Sequence, residues 1–244
     1  MSEQCRIHIG TSGWHYKHWK GVFYPVDIRD GEMLRFYVAR LRTAEINNTF
    51  YRFPSEKALA EWRNAAPAGF IFAVKASRYI THIKKLKDAG EPVSNFVERV
   101  RTLGDKLGPI LFQLPGHWRY DRDRLDSFLG ALPAGQRYVF EFRDPTWFEV
   151  PVYEALSRAG AAFCVYDFDG RQSPREVTAD FVYVRLHGPD GAYQGSYDDE
   201  RLSAWARQLL IWVGDEKDVY CYFDNDEKGY AVQNALTLRR MVGF

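Results

Sequence analysis

The segment Tyr138–Phe148 reads Tyr-Val-Phe-Glu-Phe-Arg-Asp-Pro-Thr-Trp-Phe. Its first part alternates. Tyr138, Phe140 and Phe142 share one face, and Val139, Glu141 and Arg143 share the other, because side chains of a strand point to opposite sides in turn. Aromatic and β-branched residues suit a strand. Asp144-Pro145 then ends it, since proline cannot donate to a ladder. An aromatic face is thus backed by a carboxylate and a guanidinium at the carboxyl end of a strand. In parallel α/β proteins ligands bind at that end.

The pattern repeats along the chain. Strands are predicted at Arg6–Gly13, Thr43–Phe50, Phe70–Ser77, Gly108–Pro115, Ala162–Asp167, Phe181–Gly188 and Asp218–Asn225, with the Tyr138 segment as the fifth in order. Helical spacing of apolar residues separates them at Gly31–Leu41, Asn95–Leu107, Asp123–Leu132, Val152–Ala159, Asp199–Val213 and Gly229–Val242. A further helix runs from a Ser55 cap to Ala66, without the Glu that would complete a capping box. Phe168–Asp180 reads as a loop, and Arg78–Pro92 as a long basic connection with room for a short helix. Strand–helix units with right-handed crossovers close most simply as a barrel. The 244 residues match the length of one such barrel, about 250 residues. No linker divides the chain. The expectation is an α/β fold, a TIM (β/α)8-type barrel, as a single domain over residues 1–244.

Composition sets limits on function. A net charge of +1 gives no global pull on nucleic acid or membrane, and 46% hydrophobic residues are ample for a core. Cys5, Cys164 and Cys221 are far apart and odd in number, which suits buried free thiols in a reducing compartment. No apolar run approaches the roughly 20 residues of a membrane span. The N-terminus enters a strand almost at once, without an apolar signal segment. A cytoplasmic protein is expected.

With the apolar-only strand faces turned to the helices, the inward residues near the upper rim are Ser12, Glu45, Asn47, Lys75, Gln113, Glu141, Arg143, Arg185 and His187. Strands six and eight are ambiguous in phase, leaving Tyr166 or Asp167, and Asp224 or Asn225. A purely structural interior would use layers of Val, Ile and Leu. Structural ion pairing of Glu45 and Glu141 with Lys75, Arg143 and Arg185 explains any one of these residues. The set as a whole points to a site.

The catalytic candidates are Glu141, His187 and Lys75. Glu141, a carboxylate in an aromatic setting, is expected to have a raised pKa and to act as general acid or base. His187 is a second proton carrier. Lys75 is either a Schiff-base amine, its pKa lowered by desolvation, or a fixed cation for an anionic ligand. His8 lies deeper and reads as a core histidine. A metal site can be sketched from Glu45, Glu141, His187 and Asp224, but no dedicated metal motif is present. The ligand-binding candidates are Trp14, Tyr16, Asn47, Gln113, Arg143, Trp147, Arg185 and Asn225. The loop aromatics, which include Phe50, Tyr51, Trp118, Phe148, Tyr193 and Tyr197, are either lids on the core or stacking surfaces for a base or sugar ring.

Seven motifs occur in order: Gly10-Thr11-Ser12-Gly13-Trp14-x-Tyr16, Glu45-Ile46-Asn47-Asn48-Thr49-Phe50-Tyr51, Phe72-Ala73-Val74-Lys75, Leu111-Phe112-Gln113-Leu114-Pro115, Glu141-Phe142-Arg143, Arg185-Leu186-His187-Gly188, and Phe223-Asp224-Asn225 followed by Gly229-Tyr230-Ala231. In these the chain resembles the YecE-like proteins, also called domain-of-unknown-function family 72, from about Ile7 to Leu238. The resemblance implies a TIM barrel in a bacterial or archaeal cytoplasmic protein. It supplies no activity and no cofactor. Asp224 departs from the asparagine expected to be frequent there, which weakens a fixed role for that position.

The leading functional expectation is an enzyme, a hydrolase or lyase, acting on a small phosphorylated or nucleotide-like ligand at the C-terminal mouth of the barrel. The alternatives are a non-catalytic nucleic-acid binder using the aromatic loops and the basic stretch Arg78–Lys87, and a metal-dependent isomerase or nuclease. No membrane partner is expected. An anion site is expected between strands seven and eight, where Gly188 and Gly229 would bring backbone N–H groups to an anion and Arg185 would grip it with two hydrogen bonds.

Overall fold

The computed structural model describes residues 6–243; Cys5 lies outside them. Eight parallel strands form a closed barrel: β1 (Ile7–Ser12), β2 (Thr43–Ile46), β3 (Ile71–Lys75), β4 (Leu107–Gln113), β5 (Tyr138–Glu141), β6 (Ala162–Phe168), β8 (Phe181–Leu186) and β9 (Asp218–Phe223). They pair in the order β5-β4-β3-β2-β1-β9-β8-β6, and β5–β6 pairing closes the ring. The remaining strand, β7 (Arg171–Gln172), folds back antiparallel on the end of β6. The connection between β6 and β8 therefore holds a short hairpin and no helix.

Among the described residues eight α-helices accompany the strands: α1 (Met33–Val38), α2 (Asn48–Tyr51), α3 (Glu56–Ala65), α4 (Gly90–Val100), α5 (Arg122–Gly130), α6 (Val150–Arg158), α7 (Asp199–Gly214) and α8 (Tyr230–Met241). Ser55 caps α3 through the Ala58 N–H, as its position predicts. One strand boundary changes. The second strand stops at Ile46, four residues early, because Asn48–Tyr51 turns into α2. The basic connection contains a single π-helical turn at Tyr79–Ile83.

The strand alternation sorts side chains into two layers. Phe112, Phe140 and Phe142 face outward, where Phe140 stacks on Phe112 at 5.4 Å and Phe142 on Trp147 at 4.6 Å. Phe128 of α5 closes the same layer, edge-on to Phe140 at 5.9 Å. The inner layer holds Ala73, Leu111, Val139, Ala162, Cys164, Tyr183, Tyr220 and Tyr222. Here Ala73 and Ala162 leave room for three tyrosines, whose hydroxyls need partners once buried. Tyr222 OH pairs with Thr43 Oγ1 at 2.7 Å, and Arg137 Nη1 donates to Tyr220 OH at 2.9 Å. His8 is half-buried at the lower end and stacks on Tyr220 at 4.7 Å. Cys164 and Cys221 are buried free thiols.

Phe140 is fully buried among rings, so Phe140→Ala should cost about 3–5 kcal/mol in urea unfolding. Val26→Ala, at a position 77% exposed, should stay within about 0.5 kcal/mol. A Phe140→Ala loss below about 1 kcal/mol would contradict this two-layer assignment.

Candidate functional site

Above the tyrosines, strand ends bring charges together. Register places Ser12 beside Glu45, and Gln113 beside Glu141. Arg185 extends into the barrel axis, 1% exposed. Its Nη1 donates to Glu141 Oε2 at 2.8 Å, and its Nη2 donates to Glu45 Oε1 and Asp224 Oδ2, each at 2.8 Å. Nη2 also reaches Ser12 Oγ at 3.2 Å. Glu45 is completed by the Ser12 hydroxyl and by Tyr183 OH, the latter at 2.6 Å.

Glu141 takes a second guanidinium on Oε1, from Arg143. Burial alone would raise the Glu141 pKa, but Arg143 and Arg185 outweigh it and hold the carboxyl well below its usual range. This reverses the raised pKa expected of Glu141. The carboxylate is not in an aromatic setting, because its aromatic neighbours Phe140 and Phe142 point the other way. Asp224 is likewise lowered: burial works against ionisation, and Arg185 and then His187 favour it.

His187 lies between the two signs of charge. Its Nε2 accepts from Arg143 Nη2 at 3.0 Å, and its Nδ1 is 3.1 Å from Asp224 Oδ2. This arrangement fixes the neutral tautomer with hydrogen on Nδ1. Burial, then Arg185, lowers the His187 pKa to about 4.

Two cations at the rim are less fully engaged. Lys75 is half-buried at the end of β3, and its ammonium lies over the Phe50 ring, 4.5 Å from the centroid. Among the described residues the ammonium makes no ion pair or hydrogen bond, and burial, followed by Arg185, lowers its pKa. The Arg143 side chain is 10% exposed and stacks on Phe168 at 3.8 Å and on Tyr166 at 4.7 Å. Its Nη1 is buried without a hydrogen-bond partner.

The other candidates fall in three places. Gln113 lines a cavity of about 480 Å³ beside Arg143. Tyr16 and Asn47 line a smaller one, about 230 Å³, at the ends of β1 and β2, and Asn47 Oδ1 is buried there without a partner. Tyr16 OH donates to the Ser12 carbonyl at 2.6 Å. Trp14 lines that smaller cavity too, packs edge-on against Trp62 of α3 at 5.3 Å and also borders a groove of about 740 Å³ between α1 and α3, which holds none of the charged floor. Trp147 lies in the helix-facing layer, 1% exposed, with Nε1 donating to the Trp118 carbonyl at 2.6 Å. Asn225 points outward and donates to Gly195 O at 2.8 Å and Asn234 Oδ1 at 2.9 Å. Asp224 therefore reaches the mouth in its stead, and on β6 Tyr166 does so while Asp167 bonds Gln172.

The expected anion cradle between the seventh and eighth barrel strands is differently built. Both terminal nitrogens of Arg185 are held by carboxylates. The Gly188 N–H donates to Tyr197 OH at 3.1 Å, and the Gly229 N–H donates to the Asp226 carbonyl at 3.1 Å. Gly188 is required for a close turn: its φ is 114°, and a Cβ there would lie 2.2 Å from Gln194 O. The metal sketch meets a similar obstacle. Glu45, Glu141 and Asp224 surround a guanidinium, and among the described residues no three His, Cys, Asp or Glu side chains are grouped to hold a metal ion.

Comparison with known proteins accords with this architecture. The family described as "Protein of unknown function DUF72" matches residues 8–244. The chain belongs to this DUF72 family. A DUF72 protein of Thermotoga maritima superposes with a TM-score of 0.89 at 28% identity, covering 98% of this chain and 99% of that one. A DUF72 protein of Enterococcus faecalis gives 0.80 at 19% identity, covering 98% of each chain, a likeness of fold alone. UPF0759 protein YunF of Bacillus subtilis is 24% identical over 93% of this chain and 92% of its own length. UPF0759 protein YecE of Escherichia coli is 28% identical over 58% of this chain and half of its own length. This chain's barrel carries its charged cluster at the end of the strands where TIM barrels bind ligands.

Phe168 and Arg171 border the 480 Å³ cavity and were not among the sequence-derived candidates, whereas Tyr193, read there as a lid or a stacking surface, borders it too. The alternation of β6 could have pointed to Tyr166, two residues before Phe168. Nothing local marks Arg171, which reaches the cavity through the hairpin.

Removing one partner of a buried ion pair leaves the other charge stranded. Glu141→Gln should therefore lower stability by about 3–5 kcal/mol in urea unfolding; an unchanged midpoint would dissolve the assigned pairing. His187 should impose a pH dependence. Its contribution is complete above the unfolded imidazole value near 6.5 and falls away as the pH drops towards about 4, where the folded form also protonates. Stability measured between pH 7 and pH 4 should decline by up to about 3 kcal/mol through this group. In His187→Gln the decline should be smaller.

Proposed function

We propose that the protein is an enzyme, a hydrolase or lyase, that acts on a small phosphorylated or nucleotide-like ligand at the mouth of the barrel. The observation that carries this reading is the Lys75 ammonium, held half-buried over Phe50 and in direct contact with no carboxylate among the described residues, while Arg143 and Arg185 are both ion-paired in the floor. A desolvated cation without a partner is costly, and an anion entering from solvent would remove that cost. Arg143 supports the same reading through its partnerless Nη1. The floor beneath would then act by positioning. Glu141 and His187 hold the Arg143 guanidinium from two sides, so its free edge is preorganised for developing negative charge. Lys75 serves first as the fixed cation, since the Phe50 face favours its charged form. Its lowered pKa also suits it to carry the proton.

One observation favours non-catalytic nucleic-acid binding as a second reading. Tyr51 is 77% exposed and Tyr79 45% exposed, with Lys84 over the Tyr79 ring at 5.9 Å. Stacking on such rings together with basic side chains is the usual way to hold a single strand.

Thermal-shift screening of the purified protein against phosphorylated metabolites, with and without divalent metal, tests the first reading. A true ligand should raise Tm, by an amount equivalent to about 2.7 kcal/mol at a concentration one hundred times its Kd. Lys75→Met should weaken its binding at least about tenfold, or 1.4 kcal/mol. Equal binding by the variant, or no response to any phosphorylated compound, sinks the proposal. Under the second reading, single-strand affinity should fall steeply with salt and drop in Tyr79→Ala.

A further inference from the structure

We infer that the 480 Å³ cavity beside β4, β5 and β6 is a subsite for a planar ring carrying a hydrogen-bond acceptor next to a donor, such as a nucleobase or lactam. The inference rests on the reading of the mouth as a ligand site and adds the shape and polarity of the ligand's uncharged part.

Three features build the subsite. The first is the donor. Arg143 lines the cavity with its side chain 10% exposed, and its Nη1 is buried with no partner. Glu141, His187 and the ring of Phe168 hold the rest of that guanidinium in place, so Nη1 cannot swing away to solvent. An unsatisfied buried donor costs about 1–3 kcal/mol, which a ligand carbonyl or ring nitrogen would recover. The second is the acceptor. Gln113 gives its Nε2 to the Leu114 carbonyl at 2.5 Å, and this fixes the amide. Its Oε1 accepts no hydrogen bond among the described residues, and Gln113 borders the same cavity. The third is a platform. Tyr193 is 46% exposed and borders the cavity, edge-on to His187 at 5.5 Å and to Phe168 at 5.6 Å. Its φ of 64° is a left-handed conformation that a tyrosine rarely adopts, and such strain collects at functional sites. A donor, an acceptor and an exposed ring around one cavity match the edge and the face of a heterocycle. A phosphate alone would use only the donor.

The chemistry is shared by a free nucleotide and by a base within a single strand, so the test needs both. Calorimetric titration would use uridine 5′-monophosphate, uridine, ribose 5-phosphate and a short oligo(U). The inference predicts that the nucleotide binds at least tenfold tighter than ribose 5-phosphate. In Tyr193→Ala and Gln113→Leu this advantage should shrink to less than threefold, while ribose 5-phosphate binding stays the same. Tighter binding of oligo(U) than of the nucleotide would assign the subsite to a base in a strand. Equal affinity for nucleotide and ribose 5-phosphate overturns the ring subsite and leaves the anion reading standing. Binding of uridine with no gain from its phosphate, if abolished in Tyr193→Ala, supports the ring subsite and overturns the anion reading. A nucleotide advantage that survives both substitutions, or no binding by any of the four probes, overturns the inference.

Discussion

The guanidinium of Arg185 is held among three carboxylates on the axis of the barrel, and much of the upper interior is arranged around it. Glu45 comes from β2, Glu141 from β5 and Asp224 from the end of β9. Taking these charges out of water costs several kcal/mol per ion, which is repaid only when every lone pair and N–H finds a partner at good geometry. Neighbouring residues meet most of that demand, although Arg185 Nε stays buried without a hydrogen-bond partner among the described residues. Ser12 and Tyr183 complete Glu45, Arg143 completes Glu141, and His187 meets Asp224. The cluster links strands on opposite sides of the ring, so the register of each strand is tied to the others through charge as well as through backbone hydrogen bonds.

This pairing bears directly on function. Many sets of carboxylates at the mouth of a barrel invite a metal ion, but here the central cation is a side chain. Arg185 has both terminal nitrogens engaged by the carboxylates, so it is part of the floor. The remaining capacity for binding is at the rim, in Lys75 over Phe50 and in the free edge of Arg143. The asymmetry between a closed floor and open rim cations is the physical basis for reading the mouth as a receptor for an anion. The cavities on either side of the rim give such a ligand room to extend.

Much of the frame was legible in the chain. Alternation of apolar and polar residues placed Phe140 and Phe142 towards the helices and Glu141, Tyr183, Arg185 and His187 towards the axis, because a period of two admits one phase once one face is purely apolar. Where both faces were mixed, as at Tyr166-Asp167 and Asp224-Asn225, that rule had nothing to choose between, and only barrel closure settled it. Trp147 and Asn225 show another limit. Their residue types suit ligand contact, but whether a loop side chain turns to the mouth or to the helices depends on neighbours far away in sequence, such as Trp118 and Asn234.

Strand number, the barrel and the inward charges other than Asp224 are properties of the sequence, since they follow from local periodicity and chain length. The state of those charges belongs to the tertiary structure. Glu141 was expected to have a raised pKa and is instead kept ionised, because Arg143 lies two residues away on the same face and Arg185 arrives from a strand forty-four residues on. Electrostatic energies depend on distance and dielectric, and neither exists until the barrel closes. The same closure left the Lys75 ammonium in contact with no carboxylate among the described residues, an outcome that no count of charges along the chain could have revealed.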